Sequence, residues 1–192
     1  MQHLLDRPLS DVLDDVAAAT PAPGGGSSAA VTCALAAGLV QMVAGFTLTQ
    51  DDAEGEMRRL HDRAAVLRDD AAALGELELR AYAPVLAAMR RPADDPGRPA
   101  ALDAALSKAA DSPLAIARVA TAVAELAVEA ARRGRRQLRG DAVTGVLLAE
   151  AAAAAASRLA VINLEGRPGD RRLEELERLV RDAARARSAV LT

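Results

Sequence analysis

The sequence predicts an all-α protein, and three observations carry that prediction. Ala, Leu and Arg dominate the 192 residues, Ala alone filling about a quarter, and with Glu they are strong helix formers. Apolar residues recur at spacings of three and four, with no alternating strand pattern anywhere. Aromatics make up 1%: Phe46, Tyr82 and no Trp, where a β-sandwich or barrel wants aromatics and β-branched residues. The length suits a single domain over 1–192 with a sizeable core, its helices packed through small side chains.

The same numbers exclude function classes. Single-strand nucleic-acid binders stack bases on aromatic rings, which are almost missing here. A net charge of −3 and a pI near 5.5 give no attraction to nucleic acid or to an anionic membrane. One cysteine, Cys33, rules out an intramolecular disulfide and argues against a Cys-based metal site. The first residues lack a signal-peptide apolar stretch, so a cytoplasmic protein is the expectation.

Leu9, Val12, Leu13 and Val16 form one face of a short first helix, with Ser10 as a candidate N-cap. It stops before Pro21. The segment Thr20-Pro21-Ala22-Pro23-Gly24-Gly25-Gly26-Ser27 then opens a run, Ser27 to Leu48, with no charge at all. Ser27 or Ser28 is the expected cap, which puts the glycines at a helix N-terminus able to approach a ligand. The run is long enough to cross a bilayer, but Gln41 lies inside it and no basic cluster flanks it. A buried central helix is the better reading. Ala30, Ala34 and Gly38 form a small stripe permitting close approach of a neighbour, in this chain or a second subunit.

Asp52 to Arg90 reads as one long helix or two joined segments. Met57, Leu60, Ala64, Leu67, Ala71 and Leu74 make its stripe, and continuing it places the carboxylate of Glu78 inside, unless Leu77 takes the core position. Pro84 should kink it. Arg91 to Pro99 is a loop, Ala100 to Ala110 a short helix with the only lysine, Lys108. Ser112-Pro113 is a cap and first-turn proline opening a helix to about Arg133. Arg132, Arg133, Arg135, Arg136 and Arg139 crowd a loop that is either solvated or a docking site for carboxylates or phosphates. Asp141 can cap an Ala-rich helix ending near Asn163, and Leu173, Leu176, Leu179 and Val180 define a last amphipathic helix.

The chemistry available is narrow. His3 and His61 do not suggest a nucleophilic triad, and the glycine run lacks the Gly-Lys-Ser/Thr ending of a phosphate loop. No metal-ligand cluster is recognisable. What remains is Glu78, Tyr82, Lys108, Asp141 and Asn163, with the glycine loop. A carboxylate on an apolar wall can act as a general acid or base.

At Thr20-Pro-Ala-Pro-Gly-Gly-Gly-Ser-Ser-Ala-Ala30, followed by Met42-Val43-Ala44, the chain resembles the cyclodeaminase/cyclohydrolase family. Ala81-Tyr82, Ala105-Leu106…Pro113-Leu114, Asp141 and Val161-Ile162-Asn163 resemble further family segments in the same order. The resemblance implies an up-and-down bundle of about six to seven helices around the uncharged one, a homodimer, and a tetrahydrofolate derivative as substrate with no separate cofactor or metal. Family members hydrolyse 5,10-methenyltetrahydrofolate or cyclise 5-formiminotetrahydrofolate with ammonia release; the former is favoured here because the formiminotransferase domain is missing from the chain. Glu78 and Asp141, at positions that match the family's motifs, and Lys108, from the polar set above, are the catalytic candidates. Pro23, Gly24, Gly25, Gly26, Ser27, Tyr82 and Asn163 are the substrate-binding ones. Four departures from the family pattern stand out: Glu78 replaces an Asp, Gly140 a Ser, Thr49-Gln50-Asp51-Asp52 a Gly-Lys-Lys, and the first Asn of the helix-end motif is missing, Leu159-Ala160 preceding Val161. A relative with a different small substrate, or a non-catalytic helical assembly protein, are the alternatives. Tyr82, one turn after Glu78, and Phe46 are the two rings able to stack on a flat ligand.

Overall fold

In the computed structural model, residues 4–48 and 55–191 are described; His3, Thr49, Gln50, Asp51 and Asp52 lie outside them. Within these residues the regular structure is all helical: α1 (Leu9–Ala17), α2 (Gly25–Thr47), α3 (Glu56–Ala81), α4 (Ala83–Met89), α5 (Arg98–Ala109), α6 (Asp111–Arg133), α7 (Arg139–Asn163) and α8 (Arg171–Leu191), with short 3₁₀ turns at Leu4–Asp6 and Arg136–Leu138. Six of these helices have twelve residues or more, the all-α bundle the composition calls for.

The core is built mainly from Ala and Val. Along α2, Ala30, Cys33, Ala36, Ala37, Val40, Val43 and Ala44 are fully or almost fully buried; α6 and α7 answer with Ala120, Val123, Ala127, Val146, Ala149 and Ala153. Small side chains let backbones approach: a Cβ on Gly145 would lie 3.4 Å from the Ala36 carbonyl oxygen. Helices α2 and α7 run antiparallel, since Gly25 meets Leu159 at one end and Gly145 meets Ala36 and Val40 further along. Helices α3 and α6 are antiparallel too, Glu56 pairing with Arg133. Burial pushes the Cys33 thiol up to about 12.

Helix α2 and residues 136–163 are long and apolar enough to cross a membrane, but half of α2's most apolar window is buried in the bundle. The other half is not: Leu35 and Phe46 are 62% and 54% exposed.

Several expected helix starts are shifted. Proline 8, not Ser10, precedes α1, and Ser10 donates to Asp11 instead. Gly24 caps α2 with extended backbone, and neither Ser27 nor Ser28 does: Ser28 donates back to the Gly24 carbonyl at 2.9 Å. Helix α6 starts at Asp111, so Ser112 and Pro113 lie in its first turn. Helix α7 starts at Arg139 and holds Asp141 inside its first turn. There the carboxylate suits the helix dipole without capping. Pro99 falls in the first turn of α5. The break near Pro84 is real and comes at Tyr82, because Pro84 has no N–H to continue the α3 ladder.

Candidate functional site

The glycine segment and Glu78 meet. The chain approaches α2 through a cis Ala22–Pro23 peptide and enters the helix directly at Gly25 and Gly26, so the N–H groups of the first turn have no partner within the helix. A Cβ on Gly26 would overlap Cγ, Cδ and Oε1 of Glu78, far inside van der Waals contact. The absence of a side chain at position 26 is thus what gives the Glu78 carboxyl its seat. Two neighbouring contacts hold α2 and α3 together there. Ser27, 2% exposed, donates to the Gly75 carbonyl at 3.4 Å, and Gly75 lets Ala30 approach, with a Cβ at position 75 falling 3.6 Å from that of Ala30.

Glu78 itself is half-buried, and its Oε2 is shielded from solvent with no hydrogen-bond partner. Leu77, the alternative occupant of the inward position, is 60% exposed and points away. A shielded carboxylate oxygen without a donor is an unmet acceptor beside a helix N-terminus. The hydroxyl of Ser112, in the first turn of α6 at the same end of the bundle, is also buried and unpartnered.

Tyr82 follows at the α3–α4 joint, 37% exposed. Pro23, just before the glycines, is buried. Asn163 closes α7 and donates to the Ala109 carbonyl at 3.3 Å, tying α7 to the end of α5. Lys108 is close by in sequence, but its side chain is 82% exposed and its ammonium pairs with Asp111 at 2.9 Å, facing solvent. Burial would raise the Asp111 carboxyl, but hydrogen bonds from Lys108 and Arg172 outweigh it and hold the carboxyl below the usual range. Arg172 is a hub that sequence periodicity does not reveal: it reaches Ser107, Asp111 and Asp170, and its hydrogen bonds hold Asp170 at about 2.

Asp141 is elsewhere. It lies at the start of α7, while Asn163 ends that helix, so about 33 Å of helix rise separates them. Since α2 and α7 are antiparallel, Asp141 sits at the far end of the bundle from Gly26 and Glu78. The arginine loop is at that far end too, where the Arg135 N–H donates to Thr47 Oγ1 at 3.2 Å. So is Phe46, about 30 Å of rise beyond Gly26 along α2, which removes it from any stacking site shared with Tyr82 inside one chain. His61 bridges Gln41 and Asp62 on the flank of α3, away from Glu78.

Gly75 and Leu159, which shape this end, were not among the expected site residues. An isolated glycine inside the α3 stripe was the available signal for Gly75; Leu159 gives none.

A small-residue bundle with a carboxylate seated on a glycine-opened helix has a close structural counterpart. The formiminotetrahydrofolate cyclodeaminase of Thermotoga maritima superposes with a TM-score of 0.87 over 97% of this chain and 95% of that one, at 27% identity. The sequence pattern of the formiminotransferase-cyclodeaminase family matches residues 8–182, and the chain belongs to that family. Among its relatives, the methenyltetrahydrofolate cyclohydrolase of Methylorubrum extorquens is 31% identical over 182 residues, covering 89% of this chain and 88% of that protein. The formimidoyltransferase-cyclodeaminase of Sus scrofa is 33% identical over 147 residues, and there the match spans only 27% of the longer protein.

Proposed function

We propose that this protein is a folate one-carbon enzyme that hydrolyses 5,10-methenyltetrahydrofolate to 10-formyltetrahydrofolate, working as a cytoplasmic homodimer with no metal, no separate cofactor and no nucleic-acid or membrane partner. The observation that carries the reading is the Glu78 carboxyl, seated on Gly26 with Oε2 shielded and unpartnered. The relative of matching length bears the cyclohydrolase name, which favours hydrolysis over deamination.

The chemistry follows from charge. The methenyl carbon lies in a cationic amidinium, and an ionised carboxylate in a low-dielectric seat attracts that cation more strongly than one in water. Glu78 takes a proton from water as its oxygen bonds to the methenyl carbon. It then returns the proton to N5 as the N5–carbon bond breaks. The hydroxyl proton leaves to solvent and the carbonyl remains on N10, so each turnover releases one proton. In the cyclising direction the same group protonates the departing ammonia. Gly24 to Ser27 close around the ligand backbone-first, and Tyr82 offers a ring face. Asn163 orders the end of α7. Asp141 and Lys108, the other two catalytic candidates, make no contact with Glu78 in the described chain, and they belong to the reaction only by what a second subunit or a rotamer change brings.

Supplying the purified protein separately with the methenyl and the formimino substrate tests the reading. Proton release from the first, with little ammonia from the second, is expected. Fast ammonia release and slow hydrolysis would reassign it as a cyclodeaminase, and inertness toward both would end the folate reading.

A further inference from the structure

Helices α7 and α8 leave an open groove of about 440 Å³ between them. On α7, Ala154, Ser157, Arg158 and Val161 face it, while Leu159, which touches Gly25 beside the reaction site, lies on the opposite side of the same helix. The groove is therefore separate from the Glu78 seat. Its floor is apolar: Ala154 and Val161 are answered by Leu176 and Val180 of α8, and Val180 is left 36% exposed.

A polar atom is stranded in that floor. Ser157 is 3% exposed, and its Oγ is buried with no hydrogen-bond partner. A hydroxyl inside a helix has a default acceptor, the carbonyl four residues back. Thr32, Thr121, Thr144 and Ser188 all take it, at 2.8 to 3.0 Å. Ser157 does not, although it follows a run of alanines, Ala151 to Ala156, and one more alanine would leave no donor unmet. The rims carry positive charge. Arg158, exposed on the α7 bank, has no carboxylate partner among the described residues. Arg181, on the α8 bank, is held only loosely by Glu177 of its own helix, at 3.5 Å with both side chains mostly exposed. Two guanidinium groups thus stand against one carboxylate along an apolar trough.

We infer that this groove binds a small amphipathic monocarboxylate. The carboxylate accepts hydrogen bonds from Arg158, Arg181 and the Ser157 hydroxyl, and the apolar body lies along Ala154, Val161, Leu176 and Val180. Charge and size select the class. A cation would meet two arginines, and a neutral chain would leave Arg158 and the hydroxyl unanswered. From Ala154 to Val161 is about 10 Å of helix rise, the reach of a medium-length aliphatic chain. A partner helix or a lipid surface needs a longer apolar face, and the neighbouring face of α8 is charged instead, with Arg178 and Arg185 paired to Asp182.

The site does not depend on the folate reading, and its test needs no folate. Calorimetric titration with decanoate, kept below the concentration at which it forms micelles, should show saturable binding of one molecule per chain. Decanol and decyltrimethylammonium should bind about tenfold more weakly or worse. Arg158→Ala, an exposed change expected to leave the circular dichroism spectrum intact, should weaken decanoate about tenfold, and Ser157→Ala about two- to tenfold. Glu78→Gln should leave decanoate binding unchanged. No saturable binding, equal affinity for the three probes, an Arg158→Ala variant that binds as tightly as the wild type, or a loss of binding in Glu78→Gln overturns the proposal. So does a Val180→Glu variant that sediments at half the wild-type mass, which would assign the groove to a second copy. A Val180→Glu variant that loses an attachment of the wild type to neutral lipid vesicles would assign it to a membrane and overturn the proposal equally.

Discussion

Replacing Gly26 by alanine tests how Glu78 is held. The added methyl would overlap Glu78 Cγ, Cδ and Oε1, and the flanking contacts of Ser27 and Ala30 with Gly75 leave α2 and α3 little room to separate. Either Glu78 is expelled toward solvent or the helices part. Overpacking of this kind costs about 1–3 kcal/mol. Alanine in place of glycine in a helix returns up to about 1 kcal/mol, less in a first turn. The net expectation is a loss of about 1–2 kcal/mol, read from urea denaturation followed by far-ultraviolet circular dichroism. In a Glu78→Ala background the overlapping atoms are gone, and Gly26→Ala should become neutral or slightly stabilising. The two sites are therefore expected to couple by about 2 kcal/mol. Equal costs in both backgrounds would refute the seat. Because the disturbance is to folding, the measurement does not depend on knowing the substrate.

Other outcomes follow from the same structure. Arg172→Ala strips hydrogen bonds from Ser107, Asp111 and Asp170 and should destabilise by about 1–3 kcal/mol in the same denaturation assay, with an unchanged stability contradicting the hub. The depressed Asp170 carboxyl adds stability that is fully present above its ordinary 3.8 and is lost as pH falls through about 2. Asp170→Asn should flatten that part of the acid denaturation profile, and a parallel profile would exclude the assignment. Cys33, buried with its thiol pushed up to about 12, should resist a thiol reagent at pH 8 until urea unfolds the chain; rapid native labelling would show the core open.

Much of this architecture could be read before any coordinates. The Met57–Leu74 stripe narrowed the inward position to Glu78 or Leu77, between which the 60% exposure of Leu77 decides, and the uncharged run marked the central helix. Helix starts were less legible because a hydroxyl has competing partners: Ser27 bonds across to Gly75 and Ser28 back to Gly24, so neither caps. The larger gap concerned which candidates share a site. Spacing along a chain places residues on a helical face but says nothing of which helix ends lie side by side. Asp141, Phe46 and the arginine loop belong to the far end of the bundle because α2 and α7 are antiparallel, a fact of packing that no local pattern carries. Lys108 illustrates a different failure: the only lysine in the chain drew attention by rarity, yet it is a solvent-facing partner of Asp111.

The central claim is that the Glu78 carboxylate on its glycine seat turns over a cationic folate. Its most direct test is the loss of methenyltetrahydrofolate absorbance, comparing the wild type with Glu78→Gln, which keeps the shape and removes the charge. The account predicts enzyme-dependent loss for the wild type and a rate lower by about 10²–10⁴ for the folded variant. A wild type no faster than buffer, or a variant as fast as the wild type, would contradict it.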